Sequence, residues 1–202
     1  MKMRLPAPAA PARTGVWVGI AAITMSFAAY TSAMLVRAGS APDWQHFRLP
    51  SILYVNTVLL LASSGTLELA RARIAAVLGA TPITDLIGRI VPAAALRWLY
   101  VTVALGVLFV AGQVVAWKDL IAQGLFLATS PSSAFFYVFT GLHALHLLGG
   151  MAAMGYVVWG LGRGRAPASA KTNTSALGAA SLYWHFMGAL WVYLLLILTI
   201  RM

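Results

Sequence analysis

The hydrophobic positions of this chain gather into five nearly uninterrupted runs, and each run is long enough to cross a bilayer as a helix. A hydrocarbon core of about 30 Å requires about 20 apolar residues in a helix. Transmembrane strands instead alternate polar and apolar residues over about 9–11 positions. The pattern therefore predicts an all-α integral membrane protein with five transmembrane helices, at Gly15–Val36, Ile52–Ala70, Trp98–Trp117, Ala134–Leu161 and Ala179–Ile200.

The segments between the runs are short, and none has the size of a soluble domain. Residues 1–14 predict a flexible cytoplasmic tail, and residues 15–202 predict a single five-helix membrane domain. Thr81–Pro92 has apolar residues at helical spacing between two prolines, which favours a short interfacial helix. The connection from Gly162 to Gly178 is rich in Gly, Ser and Ala, and predicts a mobile loop.

Composition and charge narrow the class of protein. With 61% hydrophobic and 9% charged residues, the chain cannot present a polar surface to water on all sides. Its 14 Lys and Arg residues outnumber four acidic residues, but they lie between apolar runs, which favours lipid headgroups over nucleic acid as partners. Arg71, Arg73 and Arg97 are the predicted headgroup contacts. The absence of cysteine from the sequence excludes disulfides and thiolate metal sites.

The Lys and Arg residues also predict orientation. Most of the 14 lie in the N-terminal tail and in the second and fourth connections, which share one side of the membrane. Because positive residues accumulate on the cytoplasmic side, we expect the N-terminus to be cytoplasmic and the C-terminus to lie outside.

Polar side chains within the runs have two interpretations. His143, His146 and His185 suggest a metal or haem site, or alternatively hydrogen bonds between helices. Glu68 suggests a proton-transfer group, or alternatively an ion pair with Arg71 and Arg73. The structural interpretation is the more economical in each case. It predicts no catalytic or metal-binding residue in this chain. It predicts structural hydrogen bonds within the membrane at Asn56, Glu68, His143, His146, Trp184 and His185.

Three stretches resemble subunit III of the haem–copper oxidases, the cytochrome c oxidase subunit III family. They are LPSILYVNTVLLLASSGTLELA (Leu49–Ala70), FFYVFTGLHALHLLGGMAAMGY (Phe135–Tyr156) and YWHFMGALWVYLL (Tyr183–Leu195). They are similar to that family's "LP-x-x-NT", "TG-x-HG-x-H-x-x-GG" and "YWHFVD-x-VW" helices, in the same order. Five spans resemble the short bacterial form, which lacks the first two helices of the seven-helix relatives. Three acidic residues of the family are replaced, at Ile23, Ala116 and Gly188.

The resemblance implies a non-catalytic subunit of an aerobic terminal oxidase that couples O2 reduction to proton translocation. The haems and copper would lie in partner subunits I and II, so no cofactor is expected in this chain except bound phospholipid. The subunit would pack on subunit I and hold lipid in a cleft between its helices. It would reside in the bacterial cytoplasmic (inner) membrane, and the oxidase could belong to a larger respiratory supercomplex. The acidic replacements argue against a direct role in proton delivery.

Other functions remain open from the sequence. The same family would fit a quinol oxidase or the accessory protein of a nitric oxide reductase, because the electron donor is decided by another subunit. A more distant alternative is a haem-b membrane anchor or a small transporter, which would use the histidines of the fourth and fifth runs.

Overall fold

Five long helices form the fold in the computed structural model, which describes residues 11–40, 42–80, 93–162 and 170–202. These ranges contain no strand. Each helix includes a stretch long and apolar enough to cross a membrane, as the sequence predicts. The helices are α1 (Pro11–Ser40), α2 (Ile52–Ala80), α3 (Ala93–Ala122), α4 (Pro131–Gly162) and α5 (Ala170–Arg201).

Most helices extend beyond the predicted spans. Helix α2 continues to Ala80 instead of ending near Ala70, and α5 begins at Ala170 instead of Ala179. Hydropathy marks only the part of a helix that fits the hydrocarbon. Ala and Arg are good helix formers, so the helix continues where the apolar run ends. Residues 11–14 of the predicted tail and 170–178 of the predicted loop are therefore helical. The predicted interfacial helix at 81–92 lies outside the described residues.

The order of the helices in space differs from their order in the chain. Helices α2 and α3 form the most extensive pair, and this pair packs on α4 and α5. Helix α1 packs on α4 and α5 and, within the described parts of the chain, contacts neither α2 nor α3. We call the end where α2 ends and α3 begins the basic end, and the end where α5 finishes the C-terminal end.

The connection between α1 and α2 fastens the C-terminal end of the bundle. The Trp44 indole Nε1 donates to the carbonyl of Arg201 at 3.0 Å, and the Phe47 amide donates to the carbonyl of Met202 at 2.9 Å. Arg37, near the end of α1, forms an ion pair at 3.0 Å with Asp43 of the same connection. These contacts tie the end of α5 to the segment that leads into α2, although 157 residues separate Trp44 from Arg201.

Aromatic side chains fill the contact between α3, α4 and α5. The rings of Phe109 and Trp191 meet edge to face with centroids 4.9 Å apart, and both are buried. Large apolar side chains such as Met25, Leu145 and Tyr156 are exposed on the outside of the bundle. Hydrocarbon solvates such a surface, so their exposure agrees with a membrane location.

Gly106 permits a close approach between α3 and α5. A Cβ atom at this position would lie 2.9 Å from Cη2 of Trp184, too close for the buried indole ring to stay in place. A Cβ atom at Gly65 on α2 would meet nothing within 4 Å. The two glycines therefore form a matched pair for testing the packing.

We expect Gly106→Ala to destabilise the bundle and Gly65→Ala to leave its stability unchanged. Overpacking a core costs about 1–3 kcal/mol, and each kcal/mol lowers the Tm of a chain of this size by about 2–4 °C. The measurement is thermal unfolding of the detergent-solubilised protein. Equal Tm values for the two variants would contradict the packing of Trp184 against Gly106.

Candidate functional site

Four side chains from α2 and α5 form a hydrogen-bonded group around the carboxylate of Glu68. Arg71 Nη1 donates to Glu68 Oε1 and Oε2 at 2.7 and 3.0 Å. From α5, Ser181 Oγ donates to Oε1 at 3.1 Å, and His185 Nε2 lies 2.6 Å from the same oxygen. Arg71 Nη1 also donates to Ser181 Oγ at 3.2 Å. We call Glu68, Arg71, Ser181 and His185 the Glu68 cluster; it joins α2 to α5.

The Glu68 cluster reaches from the buried Ser181 to the outside of the bundle, some way before the end of α2. The side chains of Glu68, Arg71 and His185 are 47%, 40% and 39% exposed. The sequence suggests that Glu68 stands near the end of its helix, but α2 continues to Ala80. A charged group at this depth needs partners, and the cluster supplies them within the chain.

The other basic-end arginines lie beside the cluster. Arg73 was an expected partner of Glu68, but its guanidinium lies over the Trp98 ring, 5.8 Å from the centroid. Arg73 and Arg97 are both exposed. They therefore project from α2 and α3 towards the surroundings of the protein, where headgroup contacts were expected.

Three tryptophans donate indole hydrogen bonds to hydroxyl groups on neighbouring helices. On α5, Trp184 donates to Ser63 Oγ and Trp191 donates to Thr57 Oγ1 on α2, each at 3.0 Å. On α3, Trp117 donates to Thr140 Oγ1 on α4 at 3.0 Å. The first two bonds and the Glu68 cluster together link α2 to α5 along most of their shared length.

His146 uses its hydrogen-bonding capacity within its own helix. Its Nδ1 lies 2.7 Å from the carbonyl oxygen of Leu142, one turn earlier on α4. The link to α5 comes from the backbone, because the Tyr183 hydroxyl donates to the carbonyl of His146 at 3.0 Å. The expected interhelical hydrogen bond from the His146 ring is therefore replaced by a bond to a local carbonyl.

Asn56 and His143 are buried without the interhelical hydrogen bonds expected of them. Both side chains are 0% exposed, and among the described residues neither Asn56 nor His143 has a polar partner. Gln113 on α3, which the sequence analysis did not single out, has the same property. The His143 ring instead packs against the rings of Phe109 and Trp191, with centroids 5.9 and 5.1 Å away. The two rings lie beside His143 and offer its ring nitrogens no hydrogen-bond acceptor or donor.

The histidines do not gather into one site. Nowhere in the described ranges do three His, Cys, Asp or Glu side chains come together as metal ligands do. His143 lies inside the bundle, His146 bonds to its own helix and His185 belongs to the Glu68 cluster. Each of the three histidines therefore has its own separate surroundings in the bundle.

Two apolar grooves flank α1. One has a volume of about 390 Å³ and is lined mainly by small residues of α4 and α5, with Val16 of α1 and two tyrosines, Tyr156 and Tyr183. The other, about 480 Å³, lies between Tyr30 of α1 and the α3–α4 region, where Trp117 and Tyr137 line it. Between the grooves, α1 touches the bundle through Phe27, whose ring faces Phe139 and His146.

Comparison with known proteins now identifies the family. The family model described as Cytochrome c oxidase subunit III matches residues 23–201. The chain belongs to the cytochrome c oxidase subunit III family. It is a multi-pass membrane protein of that family, and its relatives include bacterial proteins.

Individual relatives agree with the family assignment. The chain is 29% identical to "Cytochrome c oxidase subunit 3" of Synechocystis sp. over 188 residues, which is 91% of this chain and 72% of the relative. It is 35% identical over 106 residues to the protein of the same name from Thermostichus vulcanus, 52% of this chain and 49% of the relative. A "Probable cytochrome c oxidase subunit 3" of Nocardia farcinica is 33% identical over 96 residues, 48% of this chain and 46% of that protein. The matched region spans about half the length of the latter two relatives.

The three positions where the resemblance implies that family acidic residues are replaced all face the interior. Ile23 is 8% exposed, and Ala116 is fully buried in the core. Gly188 is also buried, and a Cβ atom there would lie 3.7 Å from Ser64 Oγ on α2. This chain therefore packs small or apolar groups at all three positions.

The sequence analysis did not identify the serine and threonine hydroxyl groups that take part in the interhelical hydrogen bonds. Ser63, Thr57 and Ser181 accept or donate across helices, but a hydroxyl in a span also bonds readily to its own helix, as Thr24 does to the carbonyl of Ile20. The available signal was the concentration of polar residues in the second run, which indicates a protein-facing helix. That signal identifies the helix that faces protein, but it does not identify which residue each hydroxyl group bonds to.

We expect Trp184→Phe to destabilise the protein by about 1–3 kcal/mol, because it removes the donor to a buried hydroxyl group. Trp17→Phe is the control, since Trp17 is 53% exposed and changes at such sites usually stay within about 0.5 kcal/mol. The measurement is thermal unfolding in detergent. Ser63→Ala should reproduce the loss, and the double variant should lose no more than the larger single effect. Additive losses would show that the indole–hydroxyl bond contributes nothing.

Proposed function

We propose that this chain is the non-catalytic, structural and lipid-holding subunit III of an aerobic terminal oxidase. The observation that carries the proposal is the family match from residue 23 to residue 201. In this proposal the haems and copper reside in subunits I and II, and this chain packs on subunit I in the bacterial cytoplasmic membrane, alone or within a respiratory supercomplex. Its contribution to O2 reduction and proton translocation is to stabilise the assembly.

The contacts of the polar residues support a structural role. His185 and Glu68 bond to each other across α2 and α5, and Trp184 bonds to Ser63 across the same pair. A group engaged in fixing two helices is held in place and is poorly suited to exchange ligands or protons with a redox centre. This supports a role as architecture, in which the chemistry occurs in the partner subunits.

The groove beside Val16 supports lipid holding. At about 390 Å³ it is within the usual range of small-molecule sites, and its walls are glycine, alanine and valine with two tyrosines. Small side chains let an acyl chain lie close to the helix backbones. In the proposal one acyl chain of a phospholipid occupies this groove, with its headgroup at the basic end.

The exposed arginines complete the lipid interaction. Arg73 and Arg97 project from α2 and α3 near the basic end, and Arg71 keeps part of its guanidinium exposed beside Glu68. Long cationic side chains of this kind reach towards headgroups, because leaving them in hydrocarbon costs several kcal/mol. We infer that these three arginines contact lipid phosphates.

The central test is co-purification. We expect an affinity-tagged version of this chain, extracted in mild detergent, to bring down partner proteins together with haem and copper. A harsher detergent that releases the partners should remove the Soret absorption from the tagged fraction. A Soret band that stays with the isolated chain would support the haem-anchor alternative, and recovery of the chain without partners would contradict the proposal. Mass spectrometry of the partners distinguishes a cytochrome c oxidase from a quinol oxidase.

Orientation has a direct test, because the chain contains no cysteine. With the N-terminus cytoplasmic, Gln123→Cys at the C-terminal end should react with a membrane-impermeant maleimide in intact cells or spheroplasts. Thr14→Cys at the basic end should react only after the membrane is opened. Both positions are exposed in the structure, so accessibility depends on the side of the membrane. The reverse labelling pattern would overturn the predicted orientation; the unmodified chain is the blank.

A further inference from the structure

The interior of the bundle contains three neutral polar side chains whose hydrogen-bonding atoms lack partners. Asn56 on α2, Gln113 on α3 and His143 on α4 are at most 1% exposed. Among the described residues, neither amide has a hydrogen-bond partner for its oxygen or nitrogen, and neither ring nitrogen of His143 has one. Buried polar atoms in proteins are nearly always paired, so three such residues from three helices require an explanation.

Contacts between α3 and α4 place Gln113 near the level of His143. Trp117 bonds to Thr140, and one turn before Gln113 the Phe109 ring faces the His143 ring. Gln113 lies midway between Phe109 and Trp117 along α3. Positions four apart share a helix face, so its side chain belongs to the same contact with α4, between the levels of Thr140 and His143.

Contacts of α2 bring Asn56 to the same level. A Cβ atom at Gly112 would lie 2.0 Å from Asn56 Oδ1, so the amide lies directly against the backbone that precedes Gln113. The next residue, Thr57, accepts from Trp191, whose ring is 5.1 Å from that of His143. Asn56, Gln113 and His143 therefore share one layer of the bundle, which we call the polar layer.

We propose that the polar layer is an internal water-binding site, in which ordered water molecules bridge Asn56, Gln113 and His143. Water is the ligand that matches these groups. The amides and the imidazole together offer both donors and acceptors, and a water molecule donates twice and accepts twice. Internal waters in proteins typically make about three such bonds to otherwise unsatisfied buried groups.

An ion fits the same groups poorly. The three residues carry no formal charge at neutral pH when the imidazole is neutral, and the described residues include no cluster of three His, Cys, Asp or Glu around them. Cations in proteins are held by carboxylates or several carbonyl oxygens, and anions by cationic side chains or amide groups at helix ends. The aromatic rings of Phe109 and Trp191 close the layer on the α3 and α5 sides and favour a small neutral ligand.

The layer also explains why α3 has a glycine next to Gln113. Any side chain at position 112 would occupy the space of the Asn56 amide, so Gly112 and Asn56 depend on each other. The water-binding site is therefore built from the close approach of α2 and α3, and α4 supplies the third wall through His143.

Solid-state NMR of the assembled complex with ¹⁵N-labelled histidine tests the proposal directly. The chain has only four histidines, and His143→Phe assigns the signal of interest. We expect magnetisation transfer from water protons to the ring nitrogens of His143, although the ring is completely buried. The exposed His46 is the positive control for water contact, and His146, which bonds to Leu142, is the reference for a carbonyl-bound ring. A His143 ring with no water contact, or with contacts only to the side-chain amides, would overturn the proposal.

Substitutions give an independent measurement. Replacing one member of the layer by an apolar residue, as in Asn56→Leu or Gln113→Leu, should lower the Tm by about 2–4 °C or more, because the remaining polar atoms lose the bridging water. The triple variant N56L/Q113L/H143F should lose less than the sum of the three single variants, since no unmatched polar atom remains. A matched control is Gln123→Leu, which replaces an exposed glutamine. Strict additivity would show that no shared water joins the three side chains.

Discussion

The structure depends on the absence of water from the hydrocarbon region, which forces polar groups within the spans to find partners in the protein. Apolar helix faces alone cannot decide which helices meet, because lipid is as apolar as leucine. Here the decision falls on specific polar contacts. Trp184 and Trp191 donate to Ser63 and Thr57, and the Glu68 cluster extends the same α2–α5 contact towards the basic end. The close approach of α3 to α5 at Gly106 brings a third helix against Trp184, beside the same contact.

Helix α1 shows what happens when such contacts are few. It meets the bundle through buried apolar side chains such as Ile20, Phe27 and Met34, and through a hydrogen bond in which the Tyr193 hydroxyl donates to Thr31 Oγ1 at 2.9 Å. Its connection to α2 is bonded to the end of α5, so the chain passes over the C-terminal end without pairing α1 with α2. Grooves lie on both sides of the Phe27 contact. In the proposed function, lipid in those grooves adds to the protein contacts that hold α1.

The number and class of helices could be predicted from the sequence, because runs of about 20 apolar residues have few alternative structures. The bounds could not, since hydropathy does not register the helical residues at 71–80 and 170–178 that lie beyond the apolar runs. Glu68 and Arg71 pair at helical spacing, so their ion pair was predictable, whereas Ser181 and His185 join it only after α5 packs on α2. The lack of interhelical partners for Asn56 and His143 among the described residues has a different cause. Polarity in a span indicates burial against protein, but it does not specify which polar group of a neighbouring helix, if any, lies opposite.

The Glu68 cluster also gives a physical account of the glycine at position 188. The resemblance places an acidic residue there, on the face of α5 that meets α2. Gly188 lies opposite Ser64, whereas His185 lies opposite Glu68. Ser64 and Glu68 are one turn apart on α2, and His185 and Gly188 are one turn apart on α5. A carboxylate at position 188 on α5 and a carboxylate at position 68 on α2 would therefore both lie in the α2–α5 contact, each contributed by a different helix. In this chain Glu68 on α2 provides the negative charge, Arg71 and His185 are its partners, and α5 needs no acid of its own to hold the contact.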